Sequence, residues 1–178
     1  IKEIYQKLAS RLIDPLVQHA NLNSKVKDVG AVISLFSKEE LRSELDSDLI
    51  QKFKTIEDSA MKFPNLFINI FNNRELDQEA VRPRLTQASP QLAAQACIVA
   101  TDKELLSQLL EQHPGLITSE RLLHVANEKR NAEMMNFLFP KASEEEIEAQ
   151  VIKSPETFIS IFNTRGLDQE TVRPRLIK

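Results

Sequence analysis

The sequence contains little of what a disulfide-stabilised, hairpin-rich or membrane-embedded protein needs. Its 178 residues include one cysteine, Cys97, which excludes an intrachain disulfide framework and predicts a reducing, cytoplasmic location. Three glycines are too few for a fold built on tight β-hairpins. No run approaches the roughly 20 consecutive apolar residues that a transmembrane helix requires. We therefore expect neither a β-hairpin fold nor a membrane-embedded one.

The charge is nearly balanced. The 23 basic and 26 acidic side chains give a formal charge of −3, so the chain lacks the overall positive field typical of nucleic-acid-binding proteins. Nucleic acid is therefore disfavoured as a partner, and binding to a polyanion would depend on a local basic cluster. Gly-rich phosphate loops, nucleotide fingerprints and metal-ligand spacings are absent from the sequence, so we predict no cofactor and no metal.

Apolar residues recur at the spacing of α-helices. In the first run, Ile4, Tyr5, Leu8, Leu12 and Leu16 follow one another at intervals of three and four residues, which predicts an amphipathic helix. Similar runs continue along the chain, and the sequence predicts an all-α fold.

Helix starts are marked by side chains that bond to the unpaired backbone N–H groups of the first turn, or by prolines, which lack this N–H. Capping boxes are predicted at Ser37 with Glu40, Thr101 with Glu104 and Ser143 with Glu146. Aspartate caps are predicted at Asp77 and Asp168, and prolines at the first helical position at Pro64, Pro90 and Pro155.

An internal repeat is the strongest signal in the sequence. Residues 66–85 read LFINIFNNRELDQEAVRPRL, residues 157–176 read TFISIFNTRGLDQETVRPRL, and fifteen of the twenty aligned positions are identical. A shorter spacing of about 25 residues, from Ile56 to Val81 and from Ile147 to Val172, lies inside this repeat. Each unit is predicted to be a helix followed by a second, proline-started helix.

One helix pair cannot bury its apolar face alone, so neighbouring pairs must stack on one another. The sequence therefore predicts an α-solenoid, a superhelical stack of helix pairs in units of about 25 residues and unequal length. We predict one helical-repeat domain over residues 1–178, with N-terminal capping helices in 1–32 and repeats in 33–176. A chain that starts without methionine is expected to be part of a longer protein or a processed product.

The pattern resembles the leucine-rich variant and HEAT-like helical repeat families, whose units contain an apolar helix, a small-residue–proline joint and a second apolar helix. The residues that carry the resemblance are Ile147, Val151, Ser154, Pro155, Phe158, Ile159, Ile161 and Phe162, followed less fully by Val81, Leu85, Ser89, Pro90 and Leu92. This resemblance implies a protein-binding scaffold or adaptor, a class that includes proteins that regulate a partner enzyme by direct binding.

Polar residues of the two copies are the candidate partner-binding residues. They are Asn69, Asn72, Arg74, Arg82 and Arg84 in the first copy, and Asn163, Arg165, Arg173 and Arg175 in the second. Stacked units would align these guanidinium groups into a ridge that could bind carboxylates or phosphates. Alternatively, the arginines form exposed ion pairs with Asp77, Glu79, Asp168 and Glu170 of their own units.

We therefore predict a protein that binds another protein and has no catalytic activity. The oligomeric state stays undetermined at this point. Binding of nucleic acid or a phosphate ligand through the Arg-Pro-Arg motifs is the first alternative, and an enzyme with an unrecognised site is the second. Cys97 is expected to be a buried small side chain, and His19, His113 and His124 share no catalytic motif.

Overall fold

The structure is a computed structural model, and it describes residues 2–114, 119–156 and 159. Throughout these residues the chain is helical and contains no β-strand, which confirms the all-α class. The described helices are α1 (Lys2–Val17), α2 (Val26–Ser37), α3 (Glu39–Arg42), α4 (Ser47–Lys62), α5 (Pro64–Phe71), α6 (Gln78–Ala88), α7 (Pro90–Ala100), α8 (Lys103–Gln112), α9 (Ser119–Glu128), α10 (Ala132–Leu138) and α11 (Glu144–Lys153).

The chain divides into two compact units, Ile1–Ala93 and Ala94–Lys178. The predicted division between capping helices and repeats at residue 32 falls within α2, which runs unbroken from Val26 to Ser37. The helix is continuous because Val29, Ile33 and Phe36, spaced four and three residues apart, form one buried face.

Helix α2 lies at the centre of the first unit, where it contacts α1, α3, α4, α5 and α6. The ring of Phe36 packs edge-on against Phe53 of α4, with 5.6 Å between centroids. Both side chains are fully buried, and burial of one such ring stabilises the fold by about 1.5–3 kcal/mol. The core of this unit is therefore assembled around one helix.

The predicted helix–proline–helix joint is present in α4 and α5. Helix α4 ends at Lys62, Phe63 is the N-cap of α5, and Pro64 is its first residue. Proline is favoured there because its missing N–H needs no partner in the first turn. Helix α5 ends at Phe71, which confirms the predicted end of the second helix.

The predicted helix starts have mixed outcomes. Those at Ser143, Asp77, Pro64 and Pro90 are confirmed. Ser37 was wrongly predicted as a cap: it is the last residue of α2, and its hydroxyl donates to the carbonyl of Ile33 at 2.6 Å. Thr101 was also wrong, because the neighbouring Asp102 accepts from the amide of Leu105 and caps α8.

In the second unit, α9 packs against α10 and α11. Cys97 on α7 is fully buried, which confirms its expected role as a small core side chain. The side-chain Nδ2 of Asn131 donates to the carbonyl of Ile98 and to the hydroxyl of Thr101, both at 2.9 Å. These bonds tie the end of α7 to the start of α10.

Candidate functional site

The predicted partner-binding residues do not form one uniform surface. Asn69 on α5 and Arg74 in the following loop are exposed, whereas Asn72, Arg82 and Arg84 are half-buried. The other four predicted residues, Asn163, Arg165, Arg173 and Arg175, lie outside the described residues.

Arg84 contacts two side chains of α4 within the first unit. Its Nη2 donates to Oε2 of Glu57 at 2.8 Å and its Nε donates to Oε1, so the pair is bidentate. The guanidinium also lies 5.2 Å from the ring centroid of Phe53. The predicted pairing of Arg84 with Asp77 or Glu79 is therefore wrong, because the tertiary fold brings a carboxylate of another helix within reach.

Arg82 and Gln78 bond to the C-terminal end of α5. The Nε of Arg82 donates to the carbonyl of Phe71 at 3.2 Å, and its guanidinium lies 5.1 Å from the centroid of the Phe71 ring. The side-chain amide of Gln78 donates to the carbonyl of Asn73 in the following loop. Carbonyls at a helix end have no partner within the helix, so these side chains fasten α5 to α6.

The loop between α5 and α6 packs along one face of α2. Leu76 lies against Gly30, where an added Cβ would be 3.1 Å from its Cδ1. One turn further, the amide of Asp77 donates to the hydroxyl of Ser34 at 3.3 Å. After another turn, Lys38 Nζ lies 2.9 Å from Asp77 Oδ2. The hydrogen bond from Lys38 lowers the pKa of Asp77 below its usual 3.8.

We expect Asp77→Asn to destabilise the protein near neutral pH and to have little effect in strong acid. Asparagine can still cap α6, so the change removes mainly the charge. A carboxyl with a lowered folded-state pKa stabilises the fold above its unfolded-state pKa, and this stabilisation is lost as pH falls through the lowered value. The difference in unfolding midpoint between the variant and the wild type should therefore shrink as pH falls from about 5 to about 2.

This pH dependence is measured by thermal unfolding across the acid range. Asp58→Asn is the matched control, since Asp58 is an exposed α4 carboxyl that forms no ion pair within the described part of the chain. A constant difference between Asp77→Asn and the wild type at every pH would contradict the assigned role of the Lys38–Asp77 pair.

An apolar groove lies between α1 and α2 in the first unit. Its volume is about 530 Å³. Its floor and walls are mainly apolar and are formed by Leu12, Pro15 and Leu16 of α1 and by Ala31, Val32 and Leu35 of α2. Pockets that bind helices or small molecules are typically apolar in this way.

An exposed apolar row on α1 continues the groove. Ile4, Leu8 and Leu12 are 65%, 53% and 48% exposed, and their four-residue spacing places them on one side of the helix. Three neighbouring apolar side chains that are all exposed are unusual on a surface that binds no partner. We therefore regard this row and the groove together, named here the α1–α2 surface, as the candidate functional site.

The apolar pattern of α1 contained a signal for this surface, which the prediction of a single amphipathic helix did not use. Helix α1 carries two apolar rows. The row formed by Ala9, Ile13 and Leu16 is buried, whereas the row formed by Ile4, Leu8 and Leu12 lies outside the core. A surface helix needs one apolar face, so a second one indicates a second contact.

Polar side chains line the edges of the groove. Arg11 and His19 lie on the α1 side, and Lys25 and Asp28 lie on the α2 side. Lys25 Nζ is 4.0 Å from Asp28 Oδ2, so this acidic group already has a basic neighbour. The edges can therefore form polar contacts around an apolar centre, as protein interfaces do.

His124 of α9 lies between two side chains of the second unit that carry acceptor oxygens. His124 Nδ1 lies 3.0 Å from Gln150 Oε1, and Nε2 lies 3.3 Å from Glu128 Oε1. Both ring nitrogens therefore have a side-chain oxygen atom as a neighbour. Within the described residues, no group of three or more His, Cys, Asp and Glu side chains is placed to hold a metal ion.

Comparison with protein-family models, curated proteins and solved structures found no match to this chain. In the part of the chain that the structure describes, no helix combines the length and apolar character required to cross a bilayer.

Proposed function

We propose that this protein is a protein-interaction module that binds a helix of another protein on the α1–α2 surface. The observation that carries the proposal is the exposed row Ile4, Leu8 and Leu12 beside an apolar groove. Helix-in-groove recognition uses this combination, in which apolar residues one turn apart enter a cleft between two helices.

The proposed surface differs from the arginine ridge suggested by the repeat. Arg84 forms a bidentate pair with Glu57, and Arg82 bonds to Phe71, so both guanidinium groups contribute to the fold. Asn69 and Arg74 are exposed and stay candidates for additional contacts at the edge of an interface.

We also propose that the repeated helix pairs stack into an α-solenoid and that the protein has no catalytic activity. The α4–α5 pair is a helix–proline–helix unit of the kind that stacks into an α-solenoid, and we propose this stacking for the repeated units. Burial of Cys97 supports a binding role without catalysis. The cytoplasmic location remains a proposal based on the single cysteine.

A display library of amphipathic helical peptides tests the proposed function. We expect selection on the full chain to yield peptides that bind wild type and lose at least about tenfold in affinity for Leu12→Asp, since a charge at the centre of the interface must be desolvated. Binding is measured by fluorescence anisotropy, and backbone chemical-shift changes should concentrate in α1 and α2.

Ile50→Asp is the matched control. Ile50 on α4 is 42% exposed, similar to the 48% of Leu12, and it does not line the groove. Peptides should therefore bind Ile50→Asp as they bind wild type. Equal loss in the two variants, or failure to select any helical peptide, would contradict the proposal.

A further inference from the structure

A basic edge follows the α1 side of the α1–α2 surface. Lys7 and Arg11 lie four residues apart, are both exposed, and form no ion pair within the described part of the chain. Residues with this spacing lie on the same side of a helix. The edge stands out because the whole chain carries a net charge of −3.

Two acidic residues beside this edge have other partners. Lys7 and Arg11 share a shallow depression with Asp46 and Asp48 of the segment that begins α4. Asp46 accepts from the amide of Leu49 as the cap of α4, and Asp48 lies 2.7 Å from Lys52 Nζ. Neither carboxylate forms an ion pair with Lys7 or Arg11 within the described residues, so both basic side chains can pair with an acidic ligand.

Building on the proposed function, we propose that the helix bound by the α1–α2 surface is amphipathic and carries carboxylates along the flank that faces Lys7 and Arg11. Its apolar side chains would pack on Leu12 and in the groove, while a glutamate or aspartate would pair with Arg11. Arginine binds carboxylates bidentately, so this contact would fix the direction of the bound helix as well as add affinity.

The dimensions of the surface set the minimum length of this helix. The row from Ile4 to Leu12 covers about two helical turns at about 1.5 Å per residue, and the groove continues past it to Pro15 and Leu16. A partner helix of three to four turns would span the row and the groove.

Two synthetic helical peptides test this inference directly. They share one apolar face and differ only in the flanking residues, which are glutamates in one and lysines in the other. With the full 178-residue chain at low ionic strength, we expect the glutamate peptide to bind about tenfold more tightly, and we expect salt to reduce this difference. Arg11→Glu should reverse the preference, whereas Arg121→Glu, which changes an exposed arginine of α9 that does not line the groove, should leave it unchanged.

The possible outcomes separate this inference from the proposed function. Equal affinity for the two peptides would overturn the acidic-flank inference and leave helix binding intact, whereas binding of neither peptide would overturn both. A preference that survives in Arg11→Glu would also overturn the inference. Sedimentation of the chain alone tests the alternative occupant, since a dimer that dissociates in Leu12→Asp would assign the surface to a second copy instead.

Discussion

Replacing Phe71 with alanine should lower the free energy of unfolding of the first unit by about 3–5 kcal/mol. The Phe71 ring is fully buried and stacks on Phe67, with 5.8 Å between centroids. It also lies beneath the guanidinium of Arg82. Alanine would leave a cavity in the core and would remove the surface on which this arginine packs.

Tyrosine fluorescence gives a specific measurement of this loss. Tyr5 is the only tyrosine and there is no tryptophan, so the signal reports on α1 in the first unit. The hydroxyl of Tyr5 donates to the carbonyl of Leu41 at 2.6 Å and should change environment on unfolding. Phe63→Ala is the control, since Phe63 is half-buried and should cost much less. Equal losses for the two variants would contradict the packing described for Phe71.

Replacing Arg84 with methionine should destabilise the protein by about 1.5–3 kcal/mol, the range for hydrogen bonds to charged groups. Methionine keeps much of the apolar length but leaves Glu57, whose side chain is 15% exposed, without its bidentate partner. Arg84→Lys should be intermediate, because lysine keeps the charge and loses the planar, two-point contact. Denaturant unfolding gives the free energies.

Arg74→Met provides the matched comparison for Arg84. Arg74 is exposed and forms no ion pair within the described residues, so its replacement should change the stability by less than about 0.5 kcal/mol. A double-mutant cycle with Glu57→Gln isolates the pairwise energy. If Arg84→Met proved as stable as Arg74→Met, the arginine would be available for ligands, and the ridge suggested by the repeat would regain support.

Local sequence patterns predicted the helices well where the determining interactions are local. Pro64 starts α5 and Ser143 caps α11, because each effect involves groups within one helical turn. The prediction failed at Ser37, where two local bonds compete. Its hydroxyl can cap a following helix or bond to the preceding one, and it bonds to the carbonyl of Ile33.

The candidate site was harder to predict because its residues have two physically reasonable roles. Recurring arginines are equally suited to a ligand and to a neighbouring carboxylate, and Arg84 meets Glu57, which is 27 residues away in sequence. Periodicity likewise shows that Leu8 and Leu12 share one side of α1. It does not show whether another helix of the same chain covers them.

The sequence by itself determined the all-α class, the proline-started helix of the repeat and the burial of Cys97, because composition, capping and helical periodicity act over a few residues. Only the tertiary structure decided which apolar row of α1 enters the core and which guanidinium groups are occupied. Those outcomes depend on how α2, α4 and α6 approach one another. Helix packing thereby turned an apparent arginine site into part of the fold and left the α1–α2 surface exposed.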